Sequence, residues 1–207
     1  MRTPTFFRYL FPKQIWRLPK QANKTVYLTF DDGPIPDVTP WVLSVLKEHN
    51  IKATFFCIGD NIRKHPHLIA QITQEGHSVG NHTFHHLNGW KTPSDTYINN
   101  ILQCEQEIEK HHPITKKIFR PPYGRITPKQ VNRLKQLGYT IIMWDILSYD
   151  FDKNTSETAC YNHVVKNVRT GSIIVFHDSL KAEKNLRHAL PQVIDTLIER
   201  GYTFEKL

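Results

Sequence analysis

The sequence predicts an α/β fold of about seven strand–helix units, in which a barrel-like (β/α) arrangement fits better than an open sheet. Three observations lead there. Apolar, β-branched or aromatic runs of four to eight residues alternate with stretches of helical spacing. Capping and turn residues separate them, and polar side chains gather where the apolar runs end. Strands joined through helices are parallel neighbours, although periodicity by itself does not tell a barrel from an open sheet. No linker, repeat or low-complexity stretch interrupts the 207 residues, which suit one well-buried domain, 25–207, behind a leader, 1–24.

The elements follow in order. In the leader, Phe6, Phe7, Tyr9, Leu10 and Phe11 are broken up by Arg2, Arg8 and Lys13, so no apolar core of signal-peptide length survives. It reads as a strap on the domain, with interfacial membrane contact as the sharper alternative. The first strand is expected at 26–30. Val38, Trp41, Val42, Val45 and Leu46 then form one apolar stripe of an amphipathic helix. Further strands are expected at 53–58, 77–80, 118–120, 140–144, 172–177 and 202–205. Gly76 and Gly201 stand where helices should stop, Thr127-Pro128 is a helix start, and Gly138 ends that helix. His111-His112 before Pro113 marks another helix end.

A net charge of +8 favours acidic partners, but the basic residues are dispersed as on a solvated surface. No helix-turn-helix, zinc-finger or ribonucleoprotein pattern supports nucleic-acid binding. Cys57, Cys104 and Cys160 are odd in number and far apart, which argues against a disulfide framework and weakly for a reducing compartment. No stretch approaches the ~20 apolar residues of a membrane span. A cytoplasmic or peripherally membrane-associated protein is expected rather than a secreted one.

The polar groups at the strand ends carry the chemistry, as they do in parallel α/β folds. The first strand ends in Asp31-Asp32; others run into "GNHTFHH", "FRPPYG", "WDILSYDF" and "VFHDS". Two adjacent carboxylates repel, and a cation beside them relieves the repulsion. His82 and His86, four apart, can face one point, and with one carboxylate they make a set that leaves coordination positions open. Such sets suit Zn²⁺ in hydrolases or Fe²⁺ in oxygenases. His85, between them, should point away.

In this order, "TFDDGP", "HTFHH", "RPPYG", "SYDF" and "VFH" resemble the motifs of the polysaccharide deacetylase family (NodB-homology, carbohydrate esterase 4), from about Val26 to Leu207. The resemblance implies a distorted (β/α) barrel of about seven parallel strands with helices outside, and metal-dependent removal of N- or O-acetyl groups from glycans. It implies that Asp32, His82 and His86 hold a divalent ion, in the first place Zn²⁺, with Co²⁺, Ni²⁺, Mn²⁺ or Fe²⁺ as alternatives. Asp31 would be the general base, and Arg120 the arginine that pairs with it. Tyr123 would offer a backbone N–H to the oxyanion, and His177 would be the general acid. Asp150 takes the place of the aspartate that tunes His177, with Asp145 as runner-up. Phe151 and Val175 replace a customary Trp and Leu, which leaves an apolar pocket for the acetyl methyl. Asp178 should face outward or cap.

A glycan or acetylated amino sugar, such as peptidoglycan or chitooligosaccharide, is the substrate this implies, with N-acetyl the expected group. One rival is an amidohydrolase or deformylase acting on a non-polymeric or lipid-linked substrate. The other is a non-catalytic carbohydrate-binding protein, which would need none of Asp31, Arg120 and His177.

Overall fold

The structure is a computed structural model that describes residues 2–4, 6–19 and 23–207; the remaining leader positions, 1, 5 and 20–22, lie outside the described residues. The leader carries a short helix, α1 (Phe7–Leu10), and a two-residue strand, β1 (Gln14–Ile15). The domain proper alternates β2 (Thr25–Asp31), α2 (Thr39–Glu48), β3 (Thr54–Cys57), α3 (Gly59–Lys64), α4 (Pro66–Gln74), β4 (Ser78–Asn81) and α5 (Ser94–Glu109). It continues with β5 (Ile118–Phe119), α6 (Pro128–Gln136), β6 (Thr140–Ile142), β7 (Ile146–Leu147), α7 (Glu157–Val165), β8 (Ile173–His177), α8 (Glu183–Glu199) and β9 (Thr203–Phe204).

Eight strands lie side by side in the order β1-β6-β5-β4-β3-β2-β8-β7, and β9 pairs with the start of β2. Every ladder between these strands is parallel. The result is the distorted (β/α) barrel that the sequence predicts, left open between β1 and β7. The leader crosses that seam. Arg2 bridges Ile146, the Thr3 N–H donates to Asp145 O at 2.8 Å, and Arg17 bridges Ser172. Phe7 packs on Trp16, while Phe6, Tyr9 and Leu10 stay exposed. No helix among the described residues is long and apolar enough to cross a membrane.

Strand alternation sorts the interior. On β2, Val26, Leu28 and Phe30 face outward into the main core against the helices. Tyr27, Thr29 and Asp31 face the barrel interior. Tyr27 joins Phe56, Ile118, Ile142 and Ile173 in an apolar plug, and the polar side chains lie above it toward the strand C-termini. The helices seal the outside. Val38, Val42, Val45 and Leu46 of the expected stripe are buried with Leu43, each burial contributing roughly 1.5–3 kcal/mol. Trp41, at the edge of the stripe, is half-buried and carries the Arg187 guanidinium 4.8 Å from its ring centre.

The seven expected strands are present, the third shifted one residue to Ser78–Asn81. β1 and β7 are additional, each of two residues, one in the leader and one in the strand-end stretch after β6. Thr127 starts α6 through a reciprocal capping box: its hydroxyl accepts from Gln130 N, and the Gln130 Oε1 accepts from Thr127 N. Gly138 follows with φ +85°, a left-handed stop. All three cysteines are free and buried. Burial pushes their thiols up, those of Cys104 and Cys160 to about 12, so they are packing residues rather than nucleophiles. Thr127→Ala should lower stability by about 1 kcal/mol in urea unfolding, and a midpoint equal to wild type would show that the cap does not hold this helix.

Candidate active site

The strand ends converge on a cleft of about 420 Å³. Asp31 ends β2 and is the register partner of His177 at the end of β8, so the two lie level on adjacent strands. His82 follows β4, and Arg120 and the Pro122–Gly124 turn follow β5. Asp32, His86 and Tyr123 complete the polar side, and Trp144, Leu147, Phe151 and Val175 form an apolar wall. Phe151 and Val175, the two departures from the family pattern, both belong to that wall.

Asp32, His82 and His86 each place one ligand atom within 4.8 Å of the others. His82 Nδ1 lies 2.7 Å from the Arg120 carbonyl. A carbonyl only accepts, so Nδ1 carries the proton and the Nε2 lone pair faces Asp32 Oδ1 at 3.5 Å. His86 Nε2 lies 3.1 Å from the same oxygen. Burial pushes the Asp32 carboxyl up, but His82, His86 and the charge of His177 outweigh it and hold it well below the usual carboxylate range. Two imidazoles and an ionised carboxylate aimed at one point fit a divalent cation. His85 turns away and pairs through Nδ1 with Asn100 Nδ2 at 2.9 Å.

Asp31 has a different partner. Arg120, fully buried, donates from NH1 to Asp31 Oδ1 at 2.6 Å and to Thr29 Oγ1 at 2.7 Å. Its NH2 donates to Met143 O at 3.1 Å, and its plane lies 4.1 Å from the centre of the Phe56 ring. Arg120 therefore sits beneath the cleft and reaches it only through Asp31. The adjacent carboxylates are divided, one turned to two imidazoles and the other to a guanidinium.

His177 meets Asp150, with Nδ1 2.8 Å from Oδ1, while its backbone N–H donates to Oδ2 at 2.7 Å. Ser148 Oγ and Phe151 N also donate to this carboxylate. Burial pulls the His177 imidazole down, but Asp150, then Asp32 and Asp31, overcome it and lift it from 6.5 to about 9. Asp145 is elsewhere, buried against Arg169 and Ser172. The Phe151 ring lies edge-on to His177, 4.8 Å between centres.

Of the two placements expected for Asp178, outward-facing or capping, the outward one is corrected: it is buried and accepts from Gly33 N at 3.1 Å and Thr39 Oγ1 at 2.6 Å. A Cβ on Gly33 would overlap this carboxylate, so the glycine makes room for it. Burial, only partly offset by Thr39, pushes Asp178 up to about 8. Asp32, Thr83, His86 and Tyr123 all have φ between 54° and 79°, conformations costly for residues with a Cβ. Side chains that sequence reasoning missed brace these turns. Asn61 donates to Asp32 O at 2.8 Å, and Asn81 Oδ1 accepts from Thr83 N at 2.9 Å. Asn residues on helices and strands carry no pattern that announces such a role. Lys181, also missed, lies at the cleft beside Phe151.

A barrel with this strand-end constellation defines a hydrolase of the deacetylase class. The chain belongs to the polysaccharide deacetylase family, whose model matches residues 19–142. The family is metal-dependent, and the relatives that this chain matches are named as deacetylases, hydrolases that act on carbon–nitrogen bonds other than peptide bonds. A peptidoglycan-N-acetylglucosamine deacetylase of Bacillus cereus is 35% identical over 192 residues, covering 91% of this chain and 88% of its own. The peptidoglycan-N-acetylmuramic acid deacetylase PdaA of Bacillus subtilis is 33% identical over 92% of this chain and 72% of its own. The crystal structure of the Bc1960 peptidoglycan N-acetylglucosamine deacetylase superposes with a TM-score of 0.90 at 33% identity, over 99% of this chain and 95% of that one.

Removing the Arg120 guanidinium would strand Asp31 in the interior. Arg120→Met should therefore cost about 3–5 kcal/mol in urea unfolding, whereas Arg120→Lys, which keeps the charge, should recover part of that loss; equal stability of Met, Lys and wild-type proteins would rule out this function of the pair.

Proposed function

We propose that this protein removes N-acetyl groups from an amino-sugar glycan of the peptidoglycan or chitooligosaccharide class. The observation that carries the reading is the division between adjacent carboxylates, Asp32 with His82 and His86, Asp31 with Arg120. Residues 25–207 are the catalytic domain on this reading, and residues 1–24 a strap on it whose exposed Phe6, Tyr9 and Leu10 support a peripheral membrane contact. The named relatives act on peptidoglycan amino sugars, which supports the substrate class.

Asp32, His82 and His86 would hold the ion, and their N,N,O donor set suits Zn²⁺. When bound, it supplies Lewis-acid polarisation of the acetyl carbonyl and a more acidic attacking water. Asp31, held by Arg120, would take a proton from the attacking water as the water's oxygen bonds to the acetyl carbon. The Tyr123 backbone N–H donates to the developing oxyanion. As the carbon–nitrogen bond breaks, His177 passes its Nε2 proton to the departing amine, leaving acetate and a free amino sugar. Asp150 holds His177 through Nδ1, which keeps the imidazolium charged and its other nitrogen directed at the cleft. Leu147, Phe151 and Val175 shelter the acetyl methyl.

Acetate release from chitooligosaccharides, peptidoglycan and acetylated xylan, with and without chelator, tests the substrate class. Turnover confined to small amides would favour the rival amidohydrolase. Asp31→Asn should abolish turnover while metal content, read by elemental analysis, stays at wild type; full activity would remove the base assignment. His177 has a folded pKa above its unfolded value. Its charged form therefore contributes stability below about 6.5 that is lost as pH rises through about 9. Its protonated form is the donor, so kcat should fall along an alkaline limb, and Asp150→Asn should move that limb to lower pH. A limb at the same pH in both proteins would show that Asp150 does not tune the donor.

A further inference from the structure

Asp178 is a buried carboxyl to which the reaction gives no part. It has no lysine, arginine or histidine partner among the described residues. Its Oδ1 accepts from Gly33 N at 3.1 Å, and its Oδ2 accepts from the Thr39 hydroxyl at 2.6 Å. A carboxyl buried without a cation is costly, and a residue that served packing alone would be apolar in this position.

Its bonds close on the turn that carries Asp32. The Asp178 N–H donates to Asp31 O at 3.1 Å, so one residue grips the turn on both sides of Asp32, at Asp31 by its backbone and at Gly33 by its side chain. Asp32 itself has φ 79°, a conformation that an aspartate free to relax would leave. The clamp is anchored in its turn. Thr39, fully buried at the start of α2, accepts from Ile35 N at 2.8 Å through the same hydroxyl that it donates to Asp178. Ile58 N, just past β3, donates to Gly33 O at 2.9 Å. The turn thus hangs between β8, α2 and the end of β3.

Without the clamp, the backbone at Asp32 could leave the left-handed region, and its carboxylate would swing off the point it shares with His82 and His86. A ligand set grips an ion best when its members are already fixed in place as the ion arrives. We propose that Asp178 is a positioning residue for the metal, which sets how tightly Asp32, His82 and His86 hold a divalent ion by fixing the turn on either side of Asp32. The inference rests on the reading of those three side chains as the metal ligands.

Zinc affinity, measured with Zn²⁺ alone by competition against a chromophoric chelator, tests this without substrate or turnover. Asp178→Ala should weaken zinc binding about 10- to 100-fold. Asp178→Asn keeps an oxygen for Gly33 N and should recover most of that loss; equal losses in the two variants would overturn the positional role. Thr39→Val releases Oδ2 while leaving the bond to Gly33, so its loss should be smaller, and it carries the test where Asp178→Ala does not fold. Wild-type zinc affinity in the folded variants, whatever the change in the urea midpoint of the metal-free proteins, would assign Asp178 to folding alone and overturn the inference while the metal ligands stand. Zinc uptake absent from the wild type, or undiminished in Asp32→Ala, would instead overturn the ligand reading and this inference with it.

Discussion

A guanidinium sits where the barrel interior turns from apolar to polar, and the ion pair between Arg120 and Asp31 is the constraint on which the site depends. Arg120 rests its plane on Phe56, the top of the apolar plug, and spends its N–H groups on β2 and on the carbonyls that end β6. One side chain thereby holds three strands at a common level. A buried pair of this kind is a poor source of net stability, since apolar side chains of equal volume often do as well. Its return is positional: a carboxylate kept in one place, in a dry interior, directly across from His177.

Around this rigid floor the remaining groups stand on tight turns. Asp32, Thr83, His86 and Tyr123 share the left-handed backbone region, where each side chain's Cβ is crowded. The surrounding structure overrules that preference with specific hydrogen bonds, from Asn61 to Asp32 O and from Thr83 N to Asn81. Asn100 does the same one layer out, accepting from the N–H groups of Phe84 and His85. Asp178 fixes the Gly33 turn from behind. Strain concentrated in the loops and bracing drawn from the strands and helices is how a metal site can be rigid without being built on regular structure.

Much of this was legible in the residues. The alternating runs located seven strands because most of them, such as Thr54–Cys57 and Ile173–His177, are rich in buried apolar residues, and the clustering of carboxylates and imidazoles after those runs marked the cleft. Capping chemistry placed the start of α6. What stayed hidden has physical reasons. β1 and β7 are two residues long and lie in stretches that read as leader and as strand-end loop. Asp178 follows a functional histidine at a strand end, where a carboxylate ordinarily meets water; only the missing Cβ of Gly33, far away in sequence, admits it to the interior. The choice between Asp145 and Asp150 depends on which of them lies over β8, a matter of loop path that no local pattern encodes.

The leader's route over the open seam ties two distant parts of the molecule. Thr3 hydrogen-bonds through its hydroxyl to the carbonyl of Trp144, whose ring forms part of the apolar cleft wall. Polypeptide continuing ahead of residue 2, native or appended, therefore hangs from a stave of the catalytic barrel itself. Pulling or crowding at that end would be transmitted to the apolar wall of the cleft, so an affinity tag placed there is not a neutral handle.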